Sequence, residues 1–354
     1  MQGTGTQSDP YQVTTIAELV EVFDIFSRKT EYSRTYCKLM NNLDFNDDPN
    51  YWNVPDYLFY TDLRKCGPPM SRRHAIDSSY DCLCIDGNGY GMYNIYSYNK
   101  TGIISSYCNT SGYATSIEIK NLTFEAIVIH SNNDNIKQFI SQDALWRYWN
   151  YSPNVHFTNC DIRIKFYKYS HLQYDALMSG CILTNCIINI DYIINANAFT
   201  NNPSYAAPIS SNNITRYSSQ FNEWNINMIL VNRSAAGSNA YIGLFDYGYN
   251  EFSSFFIQLN CMYCDQGNIY LAGVSSSNNF ICFNSYFVIE DLSNTYTATA
   301  ALPINASGVN FYDNQIKSPN TTISKVGAGE LIGCTTAQCK DANYLEGLGF
   351  IIAT

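Results

Sequence analysis

Short runs of alternating apolar residues with one internal grammar return along this chain and leave few folds open to it. They stand at 117–124 (Ile-Glu-Ile-Lys-Asn-Leu-Thr-Phe), 155–166 (Val-His-Phe-Thr-Asn-Cys-Asp-Ile-Arg-Ile-Lys-Phe) and 181–190 (Cys-Ile-Leu-Thr-Asn-Cys-Ile-Ile-Asn-Ile). Three more are centred on Phe221, Phe283 and Phe311, with another at Phe255. Period-two alternation marks each block as a half-buried strand, and no helix-period stripe separates one block from the next. A doubly wound α/β sheet is therefore disfavoured.

Phe157, Leu183, Phe221, Phe283 and Phe311 read as equivalent places, and their intervals of 26, 38, 62 and 28 residues are too irregular for propeller blades. They suit a stacked coil with loops at its corners. The recurring Asn159 and Asn185 are placed at such corners, where Asn tolerates a left-handed backbone and can bond to the Asn of the next turn. Cys160 and Cys186 follow them and are expected to stack as small core residues.

Composition agrees with a coil. Charged residues reach only 14%, against about 25% in an ordinary soluble domain. Like charges stacked about 4.8 Å apart would repel, so Asn, Ser, Thr and Tyr carry the polar surface instead. A net charge of −10 argues against nucleic acid as a partner. No apolar run approaches the roughly 18 residues of a membrane span, so no membrane partner is expected. The start of the chain lacks a signal-peptide pattern, and 13 cysteines without one suggest reduced thiols.

Ends of a coil need covers. Thr15-Ile-Ala-Glu18 reads as a capping box opening a helix with Ile16, Leu19, Val20, Phe23 and Phe26 on its apolar face, and Thr335-Thr-Ala-Gln338 reads as a second. The division is 1–36 for a lead-in strand and capping helix, 37–333 for the coil with an inserted excursion at about 46–82, and 334–354 for a closing helix and strand.

Gly3-Thr-Gly-Thr-Gln-Ser-Asp-Pro-Tyr-Gln-Val-Thr-Thr-Ile-Ala-Glu-Leu19 resembles the N-terminal lead of right-handed parallel β-helix virion proteins of tailed phages, of the tail spike and fibre type, and of bacterial β-helix surface proteins. Lys38-Leu-Met-Asn-Asn-Leu-Asp-Phe45 looks like their first-rung strand, Ile85-Asp-Gly-Asn-Gly-Tyr90 like the next corner, and the stretch from Thr335 to Phe350 like their terminal cap. The Asn, Tyr and Ile bias is similar to that of crAss-like gut phages. The resemblance implies an all-β fold, a right-handed parallel β-helix with short helical caps. It also implies a non-enzymatic structural role in a virion as a stiff rod for assembly or host attachment. Other virion proteins, a homotrimer and a host-surface glycan are the partners it implies. A tail-spike glycan depolymerase and a bacterial surface adhesin are the alternatives.

Catalytic signatures are missing. The acids Asp161, Asp175 and Asp191, or Asp246, Glu251 and Asp265, form no motif. Arg163-Ile-Lys165 matches a polygalacturonase-like tripeptide without its companion motifs, and His74, His130, His156 and His171 fit no triad or metal spacing. Cys82 and Cys84 would share one face of a strand, but no second pair lies nearby in sequence. No catalytic residue, no metal site and no cofactor are expected. Two surfaces are candidates for binding: the aromatic cluster Trp146, Tyr148, Trp149 and Tyr151, for a sugar or a neighbouring subunit, and the basic patch Lys65, Arg72, Arg73 and His74, for an acidic partner.

Overall fold

Alternation along the strands sorts inward from outward side chains before any long-range contact is considered. In Arg34–Leu39, Thr35, Cys37 and Leu39 are buried while Arg34 is exposed and Tyr36 and Lys38 half-buried. In Asp161–Lys168, Ile162, Ile164 and Phe166 are buried while Arg163 and Lys165 are exposed. The computed structural model describes residues 1–28, 34–46, 50, 59–62, 82–98, 104–107, 116–130, 140–143, 155–168, 178–179, 181–194, 204–206, 209–210, 223–230, 240–242, 245–246, 250–261, 280–291, 298–303, 309–313, 321–326 and 330–348.

Three larger sheets organise these residues. The first has six strands: Tyr11–Val13, Arg34–Leu39, Cys82–Asp86, Ser116–Lys120, Val155–Thr158 and Cys181–Thr184. The second has ten, running from Leu43–Asp44 through Gly91–Tyr98, Thr123–His130, Asp161–Lys168 and Ile187–Ile194 to Glu330–Cys334. The third has six, from Phe59–Asp62 through Ile104–Tyr107 and Ile140–Asp143 to Phe245–Asp246. All pairings between neighbouring strands are parallel; for example Cys82–Asp86 pairs with Ser116–Lys120, Thr123–His130 with Asp161–Lys168, and Phe59–Asp62 with Ile104–Tyr107. From Arg34 to Ile194 the chain visits the three sheets in rotation, so each strand pairs with one lying a full circuit further along.

Beyond Ile194 the pattern changes, and with it the expectation of a right-handed parallel β-helix over 37–333. A stack of equivalent rungs gives each of its sheets the same number of strands. Here the sheets hold six, ten and six, and the first receives no further strand after Thr184 among the described residues. Two separate two-stranded sheets, Ser204–Ala206 with Ala240–Ile242 and Ala298–Pro303 with Thr321–Val326, appear instead. Asn250–Cys261 and Phe280–Asp291, consecutive among the described strands, lie side by side in the ten-stranded sheet. The equivalence of the aromatic markers fails in the same region. Phe157 does face Leu183 in the first sheet, but Phe283 faces Ser253 and Phe311 faces Tyr286 in the ten-stranded one. The likeness to phage β-helix spikes and fibres is corrected accordingly, and the stiff virion rod built on it is withdrawn. Phe221 lies outside the described residues. The stretch expected as an excursion carries Phe59–Asp62, a strand of the third sheet.

The core lies on the inward faces of these sheets. One row of the first sheet, Cys37, Ile85, Ile119, Phe157 and Leu183, is buried throughout, as is the row Met92, Phe124, Ile162 and Ile188 of the second. Ile104 of the third sheet is also buried. At the corners between the first two sheets Asn121, Asn159 and Asn185 adopt φ of 53°, 54° and 52°. Their amides bond in a column: Asn185 Nδ2 donates to Asn159 Oδ1 at 2.7 Å, Asn159 Nδ2 to Asn121 Oδ1 at 3.3 Å, and Asn121 Nδ2 to Asp86 Oδ1 at 3.0 Å. Burial works against the Asp86 charge, but the bonds from Asn121, the Asn88 amide and Lys120 outweigh it and hold the carboxyl below its usual range. Cys160 and Cys186 follow the column into the core, hydrogen-bonded to each other.

Helices occur only near the two ends of the described chain: Ile16–Arg28, Thr336–Cys339 and Ala342–Gly347. No helix among the described residues is long and apolar enough to cross a membrane. Ile16–Arg28 buries Ile16, Leu19, Val22, Phe23 and Phe26, with Val22 inside where Val20 was expected. Its capping box is formed: Glu18 N–H donates to Thr15 Oγ1 at 3.2 Å, and Glu18 Oε2 accepts from the Thr15 and Thr14 amides at 3.2 and 2.7 Å. Thr335 and Gln338 make the second box. Partial burial opposes the Glu18 charge, but the Thr14 amide and hydroxyl and the Met1 amino group pull its pKa from 4.5 down to about 2. A depressed folded pKa means stability that is present above about pH 4.5 and lost as pH falls towards 2. Glu18→Gln is expected to cost about 1 kcal/mol at neutral pH and to flatten the acid limb of a urea-melt pH profile. An unchanged acid limb would show that this carboxylate does not govern it.

Candidate metal centre

Cys82 and Cys84 stand two residues apart in one strand, so both thiols project from the same face. That face is the one opposite Leu83 and Ile85, which join the inward rows. Parallel register then decides what else comes near. Arg34 is the partner of Cys82 on one side, and Glu118 is the partner of Cys84 on the other. Three strands widely separated in sequence thereby bring two thiols, a carboxylate and a guanidinium into one patch.

The distances are those of donors converging on a point. Cys82 Sγ lies 3.5 Å from Cys84 Sγ, and the Cys84 thiol donates to Glu118 Oε2 at 3.4 Å. All three candidate ligand atoms lie within 4.8 Å of one another. A tetrahedral zinc-class ion with bonds of about 2.3 Å to sulfur and about 2.0–2.2 Å to oxygen needs edges of roughly 3.8 Å between sulfurs and roughly 3.5 Å from sulfur to oxygen. The edge between the two sulfurs and the edge from Cys84 to Glu118 are within a few tenths of an ångström of those lengths, and the third, from Cys82 to Glu118, is no longer than 4.8 Å. Arg34 Nη2 donates to Glu118 Oε1 at 2.8 Å, so the two carboxylate oxygens have different partners.

Burial separates these thiols from their surroundings. Cys82 is 0% and Cys84 8% exposed, while the Arg34 and Glu118 side chains keep 47% and 39% of their surface in solvent. The hydrogen bond with Cys82, then burial, then the Glu118 carboxylate push the Cys84 thiol well above its ordinary range. At Arg34 burial opposes the charge, but Cys82 and Glu118 prevail and hold the guanidinium above its already high value. Elsewhere burial, with the Asp86 carboxylate adding to it, raises the Cys37 thiol to about 12.

Most other residues singled out in the sequence fall outside the described ones. Trp146, Tyr148, Trp149 and Tyr151 lie outside the described residues, as do Lys65, Arg72, Arg73 and His74. Asp175, His171 and Asp265 do so as well. Arg163 is ion-paired to Asp161 of the same strand and Lys165 is exposed, so both cations of the Arg-Ile-Lys tripeptide face outward while Ile164 faces the core. The shared face of Cys82 and Cys84 was legible from their spacing; Glu118, 34 residues on, was not. The one signal that could have found it is the alignment of Ser-Ile-Glu-Ile-Lys at 116–120 against Cys-Leu-Cys-Ile-Asp at 82–86, which register realises. Compared with protein families, curated proteins and solved structures, the chain matches none.

Proposed function

We propose that this chain is a non-enzymatic binding protein for a thiophilic divalent cation, held by Cys82, Cys84 and Glu118. The observation that carries the reading is the convergence of two buried thiols and a carboxylate whose ligand atoms all lie within 4.8 Å of one another. Thiolates select soft and borderline ions, and one carboxylate beside them suits the zinc class better than calcium or magnesium, which take all-oxygen shells. Binding exchanges the ion for the two thiol protons, forming two metal–sulfur bonds and one metal–oxygen bond with no change of oxidation state. A fourth position is left for water or an added donor. The ion would tie Cys82–Asp86 to Ser116–Lys120 by a link other than the backbone ladder, which is a structural service. Burial pushes Cys37 towards the protonated, unreactive form, which supports a non-catalytic role for that thiol.

Titration of the reduced protein with cobalt(II) under anaerobic conditions tests this. A sulfur-to-cobalt charge-transfer band saturating at one equivalent is expected. Cys82→Ser, Cys84→Ser and Glu118→Gln should each weaken binding by at least about tenfold, while Cys160→Ser leaves it unchanged. At about 100 times the dissociation constant the ion should add about 2.7 kcal/mol to stability. Equal binding by wild type and the Cys82→Ser, Cys84→Ser double variant would sink the proposal.

A further inference from the structure

Resting on that reading of the site, we infer that Arg34 is its positioning residue: it fixes Glu118 for one-oxygen coordination and balances the charge of a bound divalent ion. Glu118 Oε1 is taken by Arg34 Nη2 at 2.8 Å, and Oε2 alone is turned to Cys84. An ion entering between the thiols meets Oε2 without having to displace the guanidinium. Carboxylates that ligate metals are held in this manner by outer partners, whose loss costs about 10–100-fold in affinity.

Charge counting leads to the same residue. Two thiolates and one carboxylate carry −3, a divalent ion brings +2, and Arg34 supplies the remaining +1. The loaded centre is then neutral. For a centre whose sulfur ligands are buried, neutrality of the loaded state avoids stranding a net charge away from water. Without Arg34 the loaded centre would hold −1 beside Cys82, which is fully buried. The register of the sheet, pairing Arg34 with Cys82 and Glu118 with Cys84, anchors the guanidinium's strand beside the site.

The opposite expectation has physical content too: a guanidinium on Glu118 could act as a resident competitor, and removing it would tighten binding. Competition titrations with cobalt(II) and zinc(II) against a chromophoric chelator decide between the two. Arg34→Gln should weaken both ions by about 10–100-fold, and Arg34→Lys, which keeps the charge but not the planar fork, should recover part of the loss. The ligand-field spectrum of the residual cobalt complex in Arg34→Gln should change shape, as Glu118 coordinates less uniformly. The melting temperature without metal should move little, because an exposed ion pair contributes only about 0–1 kcal/mol. Unchanged or tighter binding in Arg34→Gln, with wild type binding normally, overturns this inference and leaves the metal site standing. Failure of wild type to bind either ion overturns both.

Discussion

Phe157→Ala is expected to lower stability by about 3–5 kcal/mol, the largest effect of any single change considered for this chain. Phe157 is 1% exposed and faces Ile119 on one side and Leu183 on the other, which are 1% and 5% exposed. Both neighbours are fixed by parallel ladders, so they cannot slide into the space a phenyl ring leaves. The cost is therefore the lost transfer energy together with most of the cavity term. Exposed Ile127→Ala is the control, expected within about 0.5 kcal/mol of wild type. Urea melts followed by circular dichroism measure both. A loss below about 1 kcal/mol at Phe157 would mean that the row between Cys37 and Leu183 repacks freely, contrary to its burial.

Asn159→Ala is expected to follow, at about 2–3 kcal/mol, by a different route. Its side chain accepts from Asn185 and donates to Asn121, so both bonds of the column are cut at one residue. These bonds are partly in solvent and contribute near the lower end of the usual 0.5–1.5 kcal/mol each. Its backbone sits at φ 54°, where an alanine Cβ crowds the following carbonyl at a cost of about 1–2 kcal/mol. Glycine separates the contributions: Asn159→Gly loses the same two bonds but not the backbone tolerance, and should be less harmful than alanine by about 1 kcal/mol. If the two variants melt together, the left-handed corner is not what selects asparagine here.

These two residues also show how far the sequence could be read. Phe157 and Leu183 were paired correctly because the 26 residues between them contain one complete circuit, with the Asn-Cys corner repeated in both blocks. The same composition rule then carried Phe283 and Phe311 into the wrong register. An alternating apolar block looks alike in any sheet, and a slip along the strand or a change of sheet leaves its pattern intact. The corner residues were legible for the opposite reason. Asn at a left-handed position is a local requirement, met within one residue, and Asn159 and Asn185 satisfy it wherever the strands go. The two capping boxes were legible on the same ground, since both partners of each lie within three residues.

The candidate metal centre lies between these cases. Spacing alone put Cys82 and Cys84 on one face, a property of any extended strand. Glu118 and Arg34 came to them only through the parallel register of three strands spread over more than eighty residues, which no local signal in the chain records. By itself the sequence determined what short-range sterics and hydrogen bonding enforce: the strands, their inward residues, the asparagine corners and the helix caps. Only the tertiary structure decided how the described strands are shared among the sheets, and which carboxylate and which cation meet the two thiols. The physical reason is that alternation fixes which way a side chain points, while its neighbour across the ladder depends on the length and path of the intervening chain.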